Sequence, residues 1–453
     1  MMSSKNWIAF IFSFLALIFI STHLSHAQPS SQLSRFTGRY IATLSDGDFL
    51  ASTYVNGKLP APGVHDQLSI VNLPLSGKRE TIVQTNASNS VIGAPYALAL
   101  SSDSQTAFVV ETLGAMPVGA TRREQLPPGN QLVAIDLSNP RRPNVQSRIA
   151  VAPKPETIHV HPNGNLLAIS TQTPGKEIAL VPFQNHQLGQ PIEFSLQQLG
   201  IQPNSAQFQN GLYASQVQWH PSGRFLAVNL DYRDEIAFYE LQRNAQGDPQ
   251  LIPWGTPVKV GKDPFTGQFT SDGRFYLSSN WGRNFGEQIK TLDQRLPETR
   301  GTVSVIQLAD LNPSASQAQH RVVSSAIADL SPESLAISPD GSKVVTVNMR
   351  GTAFPTNSPR FTRQASLSLM TLDRASGQLT KIKDYPFEGI LPEGAAFDAD
   401  GNALVVAVYD YLTPKPEGGI KFWRVLSQPK PELQQTGYIV DVGRGVHQVL
   451  VAQ

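Results

Sequence analysis

The chain contains no cysteine among its 453 residues. That absence excludes disulfides, thiol catalysis, thiolate metal sites and a lipid-anchoring cysteine. Charge is also scarce: Asp, Glu, Lys and Arg make up 16% of the chain, and 36 basic residues nearly balance 35 acidic ones. With no basic surplus, nothing in the composition calls for nucleic acid. Several chemical signatures are missing as well. There is no Gly-Lys-Ser/Thr phosphate loop, no His-Glu-x-x-His, and no Gly-x-Ser-x-Gly on a strand-to-helix turn.

One apolar run stands out, the 14 residues from Trp7 to Ile20. At ~1.5 Å per residue it would span about 21 Å as a helix, short of a bilayer's apolar core. Lys5 precedes it and Ser25-His26-Ala27 follows, small residues where a signal peptidase cuts. The expectation is a secretory signal peptide over 1–27 and a single domain over 28–453, exported to a periplasm or secreted, with no integral membrane segment after cleavage.

What the chain has in abundance is a repeated hairpin. An apolar strand, a tight turn of Asp, Ser or Asn with Gly, and a second apolar strand recur seven times. Gly47, Gly164, Gly223, Gly273, Gly341 and Gly401 mark six of the turns, and Ser104 takes that position in the other. Nine residues earlier stand Gly38, Pro95, Pro155, Ala214, Pro264, Pro332 and Pro392, at steps of 57, 60, 59, 50, 68 and 60 residues. Strands repeating at such a period predict an all-β propeller of seven four-stranded blades, with six or eight as alternatives.

The sixth copy shows the logic. Leu335–Ile337 reads as the innermost strand. Pro339 presets φ in the Ser-Pro-Asp-Gly turn, Asp340 can bond its own backbone, and Gly341 accepts positive φ. Val344–Val347 is continuously apolar, as a strand covered on both faces should be. Ala365–Leu372 alternates as a third strand, and Lys381–Tyr385 is polar enough for an outer edge. His161 and His220 occupy the position of Ser338 in their copies and read as turn residues, with no partner at metal-ligand spacing. Ring closure stays open. Gly38–Leu50 fits the inner-hairpin register, yet Arg444–Val451 also reads as an innermost strand, and one of the two must complete a blade begun by the other end.

Loop lengths point to a working face. Connections between second and third strands are long at Gly57–Asp66, Gly114–Asn130, Gly282–Gly301, Gly351–Gln364 and Leu412–Gly419, and in a propeller these emerge on one side. They lean basic, with Lys58, Arg122, Arg123, Arg283, Lys290, Arg295, Arg300, Arg350, Arg360, Arg363 and Lys415, which suits a protein, glycan or anionic metabolite as partner. One position after each start mark lie Arg39, Tyr96, Glu156, Ser215, Phe265, Glu333 and Glu393, predicted to circle the channel on that face. Glu156, Glu333 and Glu393 are the candidate catalytic acids and bases, and the pattern admits a divalent cation in the axial channel. Candidate ligand-binding residues are Arg283, Arg350, Asn280, Trp281, Asn348, Tyr409, Asp410 and Tyr96. Aromatics among them can stack on a sugar ring.

The segment Phe269-Thr-Ser-Asp-Gly-Arg-Phe-Tyr-Leu-Ser-Ser-Asn-Trp-Gly282, and Ser338–Gly351 beside it, resemble the repeat of seven-bladed lactonase-like and YVTN-type propellers. The resemblance spans most of the mature chain and implies the propeller fold. That group includes 6-phosphogluconolactonase-like enzymes whose axial site uses His, Arg and Glu. Here Ser215-Gln216 and Thr266-Gly267-Gln268 stand where those enzymes tend to carry histidine and glutamate. The reading favoured by sequence is therefore an exported binding or scaffold propeller, recognising a partner or anionic glycan on its long-loop face. The alternative is a lactonase-like hydrolase of a carbohydrate-derived lactone or ester.

Overall fold

The computed structural model describes residues 36–61, 64–206, 208–286, 288–289, 292–311, 317–412 and 417–453. The expected leader over 1–27, Lys290 and Lys415 lie outside them. Among the described residues, no helix is long and apolar enough to cross a membrane.

Seven antiparallel sheets stand in a ring, each built on a path of four strands. Their innermost strands run Val446–Ala452, Leu98–Leu100, Pro155–Val160, Gln216–Trp219, Pro264–Phe269, Pro332–Ile337 and Ala395–Phe397. Each packs on the next, and the last touches the first. We number the blades in that order, so that blade 1 owns Val446–Ala452. Blade 6 follows the sequence reading closely: Pro332–Ile337, Lys343–Asn348, Gln364–Leu372 and Leu379–Glu388. The second strand Lys343–Asn348 is buried at every position, whereas Leu379–Glu388 alternates with exposed residues at the rim. The interior lies between sheets, where second and third strands of adjacent blades meet. Leu367 and Leu404 pack there fully buried, and trimming such a leucine to alanine costs about 2–5 kcal/mol.

Turn chemistry acts as the sequence suggests. Asp340 Oδ1 accepts from Ser338 Oγ and from the Ser342 amide, and Gly341 has φ +71°. The turn histidines have a job that spacing did not reveal. His161 Nε2 lies 2.7 Å from the Gly223 carbonyl oxygen, and His220 Nε2 lies 2.9 Å from that of Gly273. Each clips its turn to the turn of the next blade. The carbonyl can only accept, so Nε2 carries the hydrogen in both rings.

Blade 1 settles the closure. Tyr40–Ser45 is its second strand, paired on one side with Asp66–Asn72 and on the other with the C-terminal Val446–Ala452. The inner-hairpin reading of Gly38–Leu50 is therefore corrected: Gly47 lies in the connection between second and third strands, and the two ends of the chain share one sheet. Both termini have the same apolar pattern, and only pairing across the whole chain decides which takes the axial slot. Arg39 accordingly leaves the predicted ring of channel residues. Its guanidinium reaches the Asp103 carbonyl oxygen on the turn side of the disc.

Candidate functional site

The start of each innermost strand explains how side chains reach the axis. The register against the second strand skips one residue between Pro155 and Thr157, Pro264 and Thr266, Pro332 and Ser334, and in blade 1 between Val446 and Gln448. The extra residues are Glu156, Phe265, Glu333 and His447. A bulge of this kind re-aims the side chain that the alternation would have placed elsewhere. Lys154, Asp263 and Ser331, just ahead of the bulged starts, are left-handed at φ 55° to 60° and crook the chain into the channel. His447, not Arg39, is the seventh member of the ring.

Glu156, Phe265, Glu333 and Glu393 open onto a cavity of ≈ 540 Å³. It is lined by Glu156, Glu333, Glu393, Arg283 and Trp281, with Arg123 and Arg295 from two long loops. Residues of both Gly114–Asn130 and Gly282–Gly301 thus sit at one mouth, as the loop argument requires. The loops also knit to one another: Arg360 donates to the carbonyl oxygens of Asp293, Leu296 and Pro297 at 2.7, 3.1 and 3.0 Å.

The three glutamates have different surroundings. Glu156 accepts from the Tyr213 hydroxyl and from Gln172 Nε2. Burial nevertheless pushes its carboxyl up to about 7, those two hydrogen bonds and Arg283 pulling the other way. Glu333 is buried, and among the described residues nothing hydrogen-bonds its carboxylate. Burial raises it well above the ordinary range, Glu393 adds to the rise, and Arg283 opposes it. Glu393 touches His447 Nδ1 with Oε2, close in contact but poorly directed for a hydrogen bond. His447 Nε2 lies 3.3 Å from the Ala94 carbonyl oxygen, so its hydrogen points there and one proton remains for the Nδ1–Oε2 contact. Burial lifts Glu393 too, against the pull of His447.

Arg283 is fixed from every side. Nε is 2.8 Å and Nη2 2.9 Å from the two oxygens of Asp263, and Nη2 is 3.2 Å from Asp231. Its guanidinium lies 4.3 Å from the ring centres of both Phe265 and Trp281. The two aspartates hold it charged despite burial. Stacked Phe208 and Tyr232, with Tyr213 edge-on, form an aromatic wall beside it. Arg123, Arg295 and Lys154 also line the cavity, and none forms an ion pair among the described residues. Three further loop cations are spent locally: Arg122 pairs with Glu124, Arg300 with Asp329 and Asp384, and Arg360 with Asp293.

The remaining sequence candidates lie elsewhere. Tyr96 stands deeper in the channel, its hydroxyl 3.5 Å from the Leu335 carbonyl oxygen, and lines a second cavity at the opposite end. Asn280 and Asn348 are buried staples between strands, bonded to Thr302 and Ser304 and to Ser366 and Ser368. Tyr409 is fully buried and donates to the Asp46 carbonyl oxygen at 2.8 Å. Asp410 accepts from the Leu412 amide at 2.6 Å, and Arg350 reaches Asp329 at 3.7 Å and the Gln364 carbonyl oxygen at 3.3 Å. Sequence reasoning missed Asp263, Tyr213, Lys154, Tyr232 and Phe208. The first three sit one residue before the start marks Pro264, Ala214 and Pro155, so the same period would have found them.

Chemically, the mouth offers a carboxyl that burial pushes up to about 7, a second that burial raises well above the ordinary range, a fixed guanidinium and a wall for a ring to lie against. Among the described residues the axial glutamates do not form a group close enough to share one metal ion by themselves; the three aspartates that do lie in or beside the connection between the second and third strands of blade 1.

The sequence matches a family described as Lactonase, 7-bladed beta-propeller, over residues 49–410. No curated protein matches. Among solved structures, the fold is similar to the Pseudomonas aeruginosa periplasmic gluconolactonase PpgL, at 18% identity and a TM-score of 0.59, covering 91% of this chain and 99% of that one. It is also similar to a Bacteroides fragilis protein provisionally assigned as a 6-phosphogluconolactonase, at 17% identity and a TM-score of 0.58, covering 91% and 98%. A hypothetical selenium-binding protein of Sulfolobus tokodaii shares 10% identity at a TM-score of 0.53, covering 94% and 95%. Such low identities speak for the fold alone, but the family match runs through six of the seven innermost strands and the whole charged mouth, and the chain belongs to the seven-bladed β-propeller lactonases.

Proposed function

We propose that this protein hydrolyses a carbohydrate-derived lactone or ester at the long-loop mouth. The observation that carries the reading is the convergence of Glu156, Glu333 and Arg283 in one recessed cavity. A general base works best with a pKa near the working pH, and Glu156 stands at about 7. It takes the proton of a water as that water attacks the lactone carbonyl carbon. Arg283, already charged and immobile, faces the negative charge that develops there. The ring C–O bond then breaks, and Glu333, protonated by its burial, gives its proton to the departing alkoxide. The product is the open hydroxy acid, and Trp281 with the Tyr232 wall supplies the surface for the sugar ring. Arg123, Arg295 and Lys154 favour a substrate that carries an anionic group. Membership of the lactonase family supports this chemistry over a purely binding role.

A second reading, an exported binding propeller for an anionic glycan or a protein partner, draws on those same unpaired cations. Export to a periplasm or beyond is supported by the character of residues 1–27. A pH-stat assay of the purified protein with sugar lactones separates the two readings. Acid release that disappears in Glu156→Gln supports the hydrolase. Saturable binding of an acidic glycan, with no turnover of any lactone or ester, would favour the binding protein.

A further inference from the structure

The connection between the second and third strands of blade 1 carries a cluster outside the long-loop mouth. Asp46, Asp48 and Asp66 are buried, and each offers a carboxylate oxygen within 4.8 Å of oxygens of the other two. No lysine or arginine forms an ion pair with any of them among the described residues. Asp46 accepts from the Tyr54 hydroxyl and from Ser90 Oγ at 3.3 Å, and Tyr409 Oη, which donates to the Asp46 carbonyl oxygen, lies 3.3 Å from its carboxylate. Asp66 accepts from the Gly47 amide and from Ser88 Oγ, each at 2.9 Å. Asp48 is different. It is 6% exposed, and its Oδ1 is shut off from solvent with no hydrogen-bond partner. A buried, unpaired carboxylate oxygen beside two more carboxylates is expensive unless a cation or a proton meets it.

We propose that Asp46, Asp48 and Asp66 bind a calcium ion that locks the ring closure. All donors are oxygens, which selects a hard cation, and a spread of up to 4.8 Å suits ligands about 2.3–2.6 Å from a shared centre. Magnesium would demand a tighter octahedron at about 2.0–2.1 Å. The position gives the ion its consequence. Asp46 and Asp66 flank the loop between the second and third strands of blade 1. The Asp46 amide bonds the Gly445 carbonyl oxygen at 2.6 Å, just ahead of the C-terminal strand, and Tyr409 comes from blade 7. Tyr54 lines the axial cavity while its hydroxyl holds Asp46, so the ion also steadies one wall of the mouth.

The test uses the full chain stripped with a chelator. Adding calcium should raise the melting temperature by several degrees, and terbium should bind at the same place with emission sensitised through Tyr54 and Tyr409. Asp48→Asn should abolish both effects. Should that variant fold poorly, Tyr54→Phe should keep the calcium-dependent shift and lower the sensitised emission, Tyr409 supplying the remainder. A wild-type melting temperature indifferent to calcium up to about 10 mM, beyond the weakest extracellular calcium modules, overturns the site. So does a calcium shift that survives in Asp48→Asn, and an equal shift with magnesium overturns the choice of ion.

Discussion

The two ends of the channel hold cavities of nearly equal size, ≈ 540 Å³ at the long-loop mouth and ≈ 560 Å³ at the turn side. Their polar groups are used in opposite ways. On the turn side, four of the seven innermost strands spend side chains on the backbone of the next. Gln448 accepts from the Leu98 amide at 2.8 Å, His159 from Trp219 at 3.1 Å, Gln218 from Phe269 at 2.9 Å and Gln268 from Ile337 at 3.2 Å. Little is left over for a ligand. At the long-loop mouth, bulges turn glutamates away from such stitching, and aspartates hold an arginine charged. Volume therefore does not separate the two ends; uncommitted charge in a buried setting does.

The largest effects should fall on one end only. Glu156→Gln and Glu333→Gln should each lower kcat of lactone hydrolysis by about 10²–10⁴-fold. Gln268→Ala on the turn side should leave it within a few-fold; equal losses at both ends, read in the same pH-stat assay, would collapse the contrast. Arg283→Ala should destabilise the protein by about 3–5 kcal/mol, because Asp231 and Asp263 then remain buried without their partner. Denaturant unfolding measures this, and a change under ~1 kcal/mol would show the aspartates relaxing to water or to protonation.

Proton linkage sharpens the comparison further. With Glu156 at about 7, kcat/KM should fall roughly tenfold per pH unit below that value as the base is protonated. Its effect on stability has the opposite sense. A carboxyl raised from 4.5 to about 7 in the fold binds its proton more tightly when folded. Its contribution to stability is present below 4.5, declines as pH rises toward about 7, and is flat above. Melting temperatures of Glu156→Gln should therefore depend less on pH across that window than those of the parent, and parallel curves would refute the assignment. The smallest effect belongs to the turn clips. His161→Ala should cost about 1 kcal/mol in stability through the lost bond to Gly223 and leave hydrolysis unchanged.

Much of this molecule was legible before folding. Residues such as Pro339, Asp340 and Gly341 encode their turn locally, and the continuous apolar run Val344–Val347 encodes a strand covered on both sides. Counting from the start marks placed Glu156, Glu333 and Glu393 in one ring because a fixed period is a statement about equivalent positions. The same counting placed Asn280 and Asn348 at strand ends but could not see that neighbouring hydroxyls consume them. It ranked Arg283 and Arg350 alike, although only Arg283 enters the mouth.

The sequence by itself determined the propeller, the period of its blades and the side on which its long loops rise, since turn preference, strand pattern and spacing are local or periodic properties of the chain. Only the tertiary structure decided that the C-terminal strand takes the axial slot in blade 1, that His447 meets Glu393, and that Arg283 meets Asp231 and Asp263. The first joins the two ends of the chain, and the others depend on strand-start bulges and loop courses that a period does not specify, so ring closure and sheet packing decide them.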